Sequence, residues 1–215
     1  MKEVFLAVAM GIGLSACCGF RVFLPLLVAA VAARSGLLPV QYGMEWLGSW
    51  TAIICLGTAM VLEILAYYIP FIDNILDAIA TPLAVGAGTL VAFSVFPTGE
   101  MEPLYRWGMA LLAGGSLAGT IQIGSGLLRL LSSKTTAGTG NGAVATGENM
   151  AALGGSLASL WVPVLAALVL LLLCAWLAVK ICRRFFWPKT DKYCDKILEA
   201  IPKTHTFALP IQFLG

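Results

Sequence analysis

Residues 4–33 read VFLAVAMGIGLSACCGFRVFLPLLVAAVAA, thirty positions with one charge, Arg21. As a single helix this stretch would run about 45 Å, against a bilayer hydrocarbon core of about 30 Å. Its middle holds Cys17-Cys18-Gly19 and Arg21, followed by Pro25. A tilted, kinked span fits, and so does a pair of half-helices broken or re-entrant near Arg21. Either way the segment belongs in a membrane, and its one permanent charge lies near mid-depth.

The rest of the chain agrees. Of 215 residues, 60% are hydrophobic and 11% charged, where soluble domains carry about 25% charged residues. The mean hydropathy is +0.92. A soluble globule of this size cannot bury that much apolar surface. Soluble enzymes, nucleic-acid binders, disulfide scaffolds and disordered chains are thereby excluded. Further apolar runs cover about 46–69 (closed by Pro70), 75–96, 104–131 and 149–182. The last is again overlong for one span, at about 50 Å, and contains Pro163. The fold class expected is an all-α integral membrane protein of about five transmembrane helices, with at least one broken or re-entrant. Leu14-Ser15-Ala16-Cys17 resembles a lipoprotein cleavage box, but the chain stays apolar beyond it, which favours an uncleaved span.

At and beyond the end of the last apolar run come Lys180, Arg183, Arg184, Lys189, Lys192, Lys196 and Lys203. The positive-inside rule places this end in the cytoplasm. The organisation expected is a transmembrane domain over 1–186 and a basic tail over 187–215. Tyr193, Ile197, Leu198 and Ile201 of the tail share one face of a short amphipathic helix.

Residues 9–27 align without gaps to 110–128, matching Gly13 to Gly114, Ser15 to Ser116 and Leu26-Leu27 to Leu127-Leu128, with Arg21 opposite Gln122. A shorter echo pairs Gly88-Thr89-Leu90 with Gly155-Ser156-Leu157. An inverted internal repeat is therefore a possible architecture, with a site at the repeat interface. In a five-span arrangement the first pair inverts and the second does not.

Ionisable groups inside spans are costly, so each is a candidate for function. Arg21 can hold a carboxylate or phosphate with two parallel hydrogen bonds; a structural ion pair is the other reading. Gln122, Glu148 and Asn149 complete the expected substrate-binding set, with Glu148-Asn149 taken as the polar opening of the last helix. Asp73 and Asp77 stand four residues apart on one helical face. Two carboxylates so close favour uptake of a proton or cation, or pairing with Arg21. Together with Glu63 they form the expected ion-coupling set. Arg129, near a span end, reads as a snorkelling anchor. Glycines 114, 115, 119, 124 and 126 read as close helix packing. Residues 134–142 read as a polar Thr/Gly connection. His205 is the one histidine and the six cysteines form no C-x-x-C pair, so no metal site, cofactor or catalytic residue is expected.

Three motifs converge: Gly19-x-Arg21-x-Phe23-x-Pro25-Leu26-Leu27; Glu63 with Pro70-x-x-Asp73-x-x-x-Asp77-x-x-x-x-Pro82-Leu83; and the Thr/Gly-rich stretch entering Glu148. Over roughly residues 5–185 the chain resembles a bacterial family of small multi-pass membrane proteins catalogued as a domain of unknown function. The resemblance implies a helical membrane domain and no established activity. Asn149 stands where a second acid beside Glu148 would be expected.

The expectation is a non-enzymatic protein of the bacterial inner membrane, a small secondary transporter of an anionic solute or lipid head group with proton or cation coupling. The alternative is a structural or accessory subunit of a larger membrane complex. Expected partners are membrane lipid, an anionic small molecule, and a second copy or a complex subunit, with no nucleic acid.

Overall fold

The structure, a computed structural model, describes residues 2–41, 43–96, 102–136 and 140–186. The side chains of residues 3, 70–75, 77–78, 103 and 184–186 fall outside the description. Among the described residues the chain is helical, with no strand. Helices α1 (Lys2–Cys17), α2 (Phe23–Arg34), α3 (Trp50–Ala66), α4 (Pro70–Val95), α5 (Pro103–Ala110), α6 (Ser116–Thr136), α7 (Asn141–Trp161) and α8 (Pro163–Phe186) follow in order. A 3₁₀ turn, Glu45–Gly48, precedes α3. A π turn, Leu111–Gly115, joins α5 and α6 into one continuous rod. Two compact units are formed, Met1–Ala178 and Val179–Gly215. The expected tail helix lies outside the described residues.

Both overlong apolar runs are broken. The first divides at 18–22. The amide of Gly19 turns back to the Ala16 carbonyl at 3.0 Å and that of Phe20 to Cys17 at 3.0 Å. A Cβ on Gly19 would strike the Ala118 carbonyl and Ile121 of α6, so only glycine lets the broken backbone lie against that helix. Pro25 stands in the first turn of α2, where a missing N–H costs nothing. The second run divides at Val162, because Pro163 cannot continue the α7 hydrogen-bond ladder.

The opposite holds for the Thr/Gly-rich connection. Of the residues read as a connection, 134–136 and 141–142 are helix, since α6 runs to Thr136 and α7 starts at Asn141. Thr135, Thr136 and Thr146 hydroxyls donate back to carbonyls one turn earlier, satisfying themselves within the helix. Glu148 consequently sits two turns inside α7 and does not open a helix. The proposed 9–27/110–128 correspondence is not matched by the backbone. The first stretch crosses a break, whereas the second, which lacks proline, is helical throughout.

In the unit Met1–Ala178, α1 packs on α4 and α7, α2 on α3, and α4 on α6 and the π turn. The core is built from Leu14, Cys18, Leu26, Ala29, Ala30, Ala84, Val91 and Val95. α4 meets the π turn at glycine: a Cβ on Gly88 would come within 2.7 Å of the Gly114 carbonyl oxygen. The glycine-packing expectation holds at Gly114, Gly115 and Gly119, while nothing crowds Gly126. The outer surface is apolar, with Trp50, Ile54, Leu62, Leu65, Leu112, Trp161, Leu165 and Leu172 exposed. Leu104–Thr136 and Pro163–Arg183 are each long and apolar enough to cross a membrane.

Candidate functional site

The break at 18–22 leaves the first amides of α2 without helical partners. A side chain from another helix supplies them. Glu63 of α3, itself buried, accepts the Val22 N–H at 2.8 Å and the Phe23 N–H at 3.0 Å, one on each carboxylate oxygen. Its charge also suits the positive end of the helix. Glu63 thus fixes the start of α2 and, with it, the backbone next to Arg21.

Arg21 is the residue this break presents, and its side chain is fully buried. Nε donates to Asn149 Oδ1 at 2.6 Å and Nη2 to the Ala145 carbonyl at 3.2 Å. Nη2 also stands 3.2 Å from Glu148 Oε2. All three partners belong to about one turn of α7. Ala145, Glu148, Ala152, Ser156 and Ser159 form the buried stripe of that helix, a spacing of 3, 4, 4 and 3 that keeps them on one side.

Glu148 has a second cation. Arg129 Nε reaches Oε1 at 3.0 Å, and Nη2 pairs with Oε2, the forked geometry of a bidentate pair. Ser125 donates to the same Oε1. Gln122, Ser125 and Arg129 are all buried and lie at i, i+3 and i+7 of α6, so one face of α6 meets α7 here. The ring of Tyr67, at the C-terminal cap of α3, lies 3.8 Å from the Arg21 guanidinium and 4.1 Å from that of Arg129. The negative face of an aromatic ring attracts both cations. Arg21 Nη1 is buried and finds no hydrogen-bond partner among the described residues.

Of the expected substrate-binding residues, Arg21, Glu148 and Asn149 meet directly, and Gln122 shares the face that carries Glu148's other partners. Of the expected coupling residues, Glu63 stands beside the two arginines. Glu63 caps α2, and Asp73 and Asp77 lie in the first turns of α4 with side chains outside the described residues. Arg129 overturns its reading as a surface anchor: it is 3% exposed and bonded to Glu148. Ser125 and Tyr67 were not anticipated. The spacing of Gln122, Ser125 and Arg129 was the available signal for the first.

The fold and site define a class: an all-helical protein, with helices fit to cross a membrane, built around two buried arginines that share one carboxylate beside a broken helix. The chain belongs to the family described as Domain of unknown function (DUF4126), whose model matches residues 8–184. No curated protein and no solved structure matches it.

Proposed function

We propose that the protein is a small carrier of anions in a bacterial cytoplasmic membrane, with its C-terminal end in the cytoplasm. One observation carries this reading: two guanidiniums converge on a single buried carboxylate, and one N–H group of Arg21 is left over. One carboxylate is shared by two cations here, and Glu148 occupies the position an anionic substrate would take. Buried unpaired donors are costly, so an arrangement that keeps one is suited to receive an acceptor from outside. Arg21 and Arg129 bind the anion, Asn149 and Gln122 flank it, and Glu148 is displaced as it arrives. Asp77 with Asp73, one turn apart on α4, couples cations or protons. No bond-making step belongs to this reading.

The test is thermal unfolding in lipid nanodiscs across chloride, acetate, phosphate and sulfate at matched ionic strength. A ligand that binds the native state raises the melting temperature by mass action. The expected result is a rise with one anion class that Arg21→Lys abolishes, because an ammonium lacks the guanidinium fork.

The burial and pairing of Arg21 with Glu148 favour a second reading, an accessory subunit of a membrane complex whose internal charges hold the fold together. Equal melting temperatures in every anion, with a partner protein co-purifying in fixed ratio, would support it over the first.

A further inference from the structure

Beside the arginine cluster lies an apolar groove of about 290 Å³ between the start of α2, α3 and α4. Val22, Ala59, Leu62, Leu76, Ile79 and Leu83 form much of its wall. Its outer lip faces the surroundings, since Leu62 is 62% exposed and Ile79 48%. Among the described residues, Glu63 and Tyr67 are its polar linings. The carboxylate oxygens of Glu63 are engaged by the α2 amides. Tyr67 is shared: its ring lines the groove and also lies against both guanidiniums. One aromatic ring therefore separates an apolar slot from two buried cations, one with an unpartnered N–H.

An apolar channel that ends beside paired cations matches one kind of molecule. We infer that the groove and the arginine cluster together bind a single-chain anionic amphiphile, its hydrocarbon tail along α3 and α4 and its carboxylate or phosphate head against Arg21 and Arg129. This rests on the anion-binding reading above and names its substrate class. A methylene fills about the space of a water molecule, about 30 Å³, so the groove has room for a tail of about ten carbons. The head passes Tyr67, whose ring turns aside to admit it. A neutral or cationic head of the same chain length gains nothing from two guanidiniums, and a cation is repelled by them.

The experiment measures binding to the full chain in detergent-free nanodiscs by calorimetry, using acetate, octanoate, decanoate, laurate, dodecyl phosphate, dodecanol and dodecyltrimethylammonium. Carboxylates are expected to tighten about fourfold per added methylene up to about ten carbons and then level off. Laurate against dodecyl phosphate tells which head the cluster prefers. Dodecanol is expected to bind well below laurate, and the ammonium compound weaker still. Arg21→Lys should abolish acetate binding and weaken every longer anion by a similar factor, leaving the gain per methylene unchanged. Ala59→Phe, which fills the groove from a half-buried position, should remove the chain-length dependence and leave acetate binding intact. Equal binding of dodecanol and laurate, or chain-length dependence unchanged in Ala59→Phe, would overturn the inference. Acetate binding that depends on Arg21 without any gain from longer chains would overturn it while the anion-binding reading stands. No Arg21-dependent binding of any anion, acetate included, would overturn both.

Discussion

Glu63→Ala removes the carboxylate that holds the start of α2. Two backbone N–H groups, of buried Val22 and half-buried Phe23, lose acceptors at 2.8 and 3.0 Å. Each stranded donor costs about 1–3 kcal/mol, so the variant should lose about 2–6 kcal/mol. Water cannot replace the carboxylate easily, since Glu63 is only 8% exposed and Val22 7%. Glu63→Gln keeps one acceptor oxygen of the right reach and should recover about half of that loss. The assay is equilibrium unfolding in mixed micelles, followed by tryptophan fluorescence. A capping role predicts the order parent, Gln, Ala, with clear steps between them. A loss below about 0.5 kcal/mol for Glu63→Ala, the scale of an ordinary surface substitution, would refute the capping argument and return Glu63 to the ion-coupling residues.

Glu148→Gln should destabilise the protein by about 3–5 kcal/mol, because it neutralises the buried carboxylate that both guanidiniums share; the same unfolding assay reads it. Tyr67→Leu removes the ring beneath both cations and should cost about 1–4 kcal/mol, whereas Tyr67→Phe, which keeps the ring, should retain most of that stability. Gly88→Val should lower the melting temperature sharply, since its side chain meets the Gly114 carbonyl and Ala118, while Gly126→Ala should be neutral or raise it slightly, as helical alanine is favoured over glycine.

Much of the helical layout is legible in the sequence because it follows from apolar run length and proline. Two runs of about 30 residues or more are too long for one span, and both are interrupted where glycine or proline permits. Hydropathy fails at the connection before Glu148. Threonine and glycine there look like a loop by composition, yet the hydroxyls close on their own helix and α7 starts early. Arg21, Glu148 and Asn149 were recognisable as intramembrane polar groups. Their mutual contact was not, since 128 residues separate Arg21 from Asn149 and only packing joins them. Arg129 was misjudged for a related reason. A position near the end of an apolar run suggests an interface, whereas the neighbouring α7 covers it and supplies its carboxylate. The capping role of Glu63 depends on the break in another helix, which no local pattern around Glu63 reveals.

The central claim is that Arg21 and Arg129 form an anion site that Glu148 fills. Glu148→Ala empties that site, and formate is small enough to enter it. Melting temperature against formate concentration is the direct measurement. The account predicts a saturable rise, about 2.7 kcal/mol of added stability at a hundred times the dissociation constant, that chloride at equal ionic strength does not reproduce and that Arg21→Lys in the same background removes. A flat response to formate in Glu148→Ala, or an equal rise with Arg21 replaced, would contradict it.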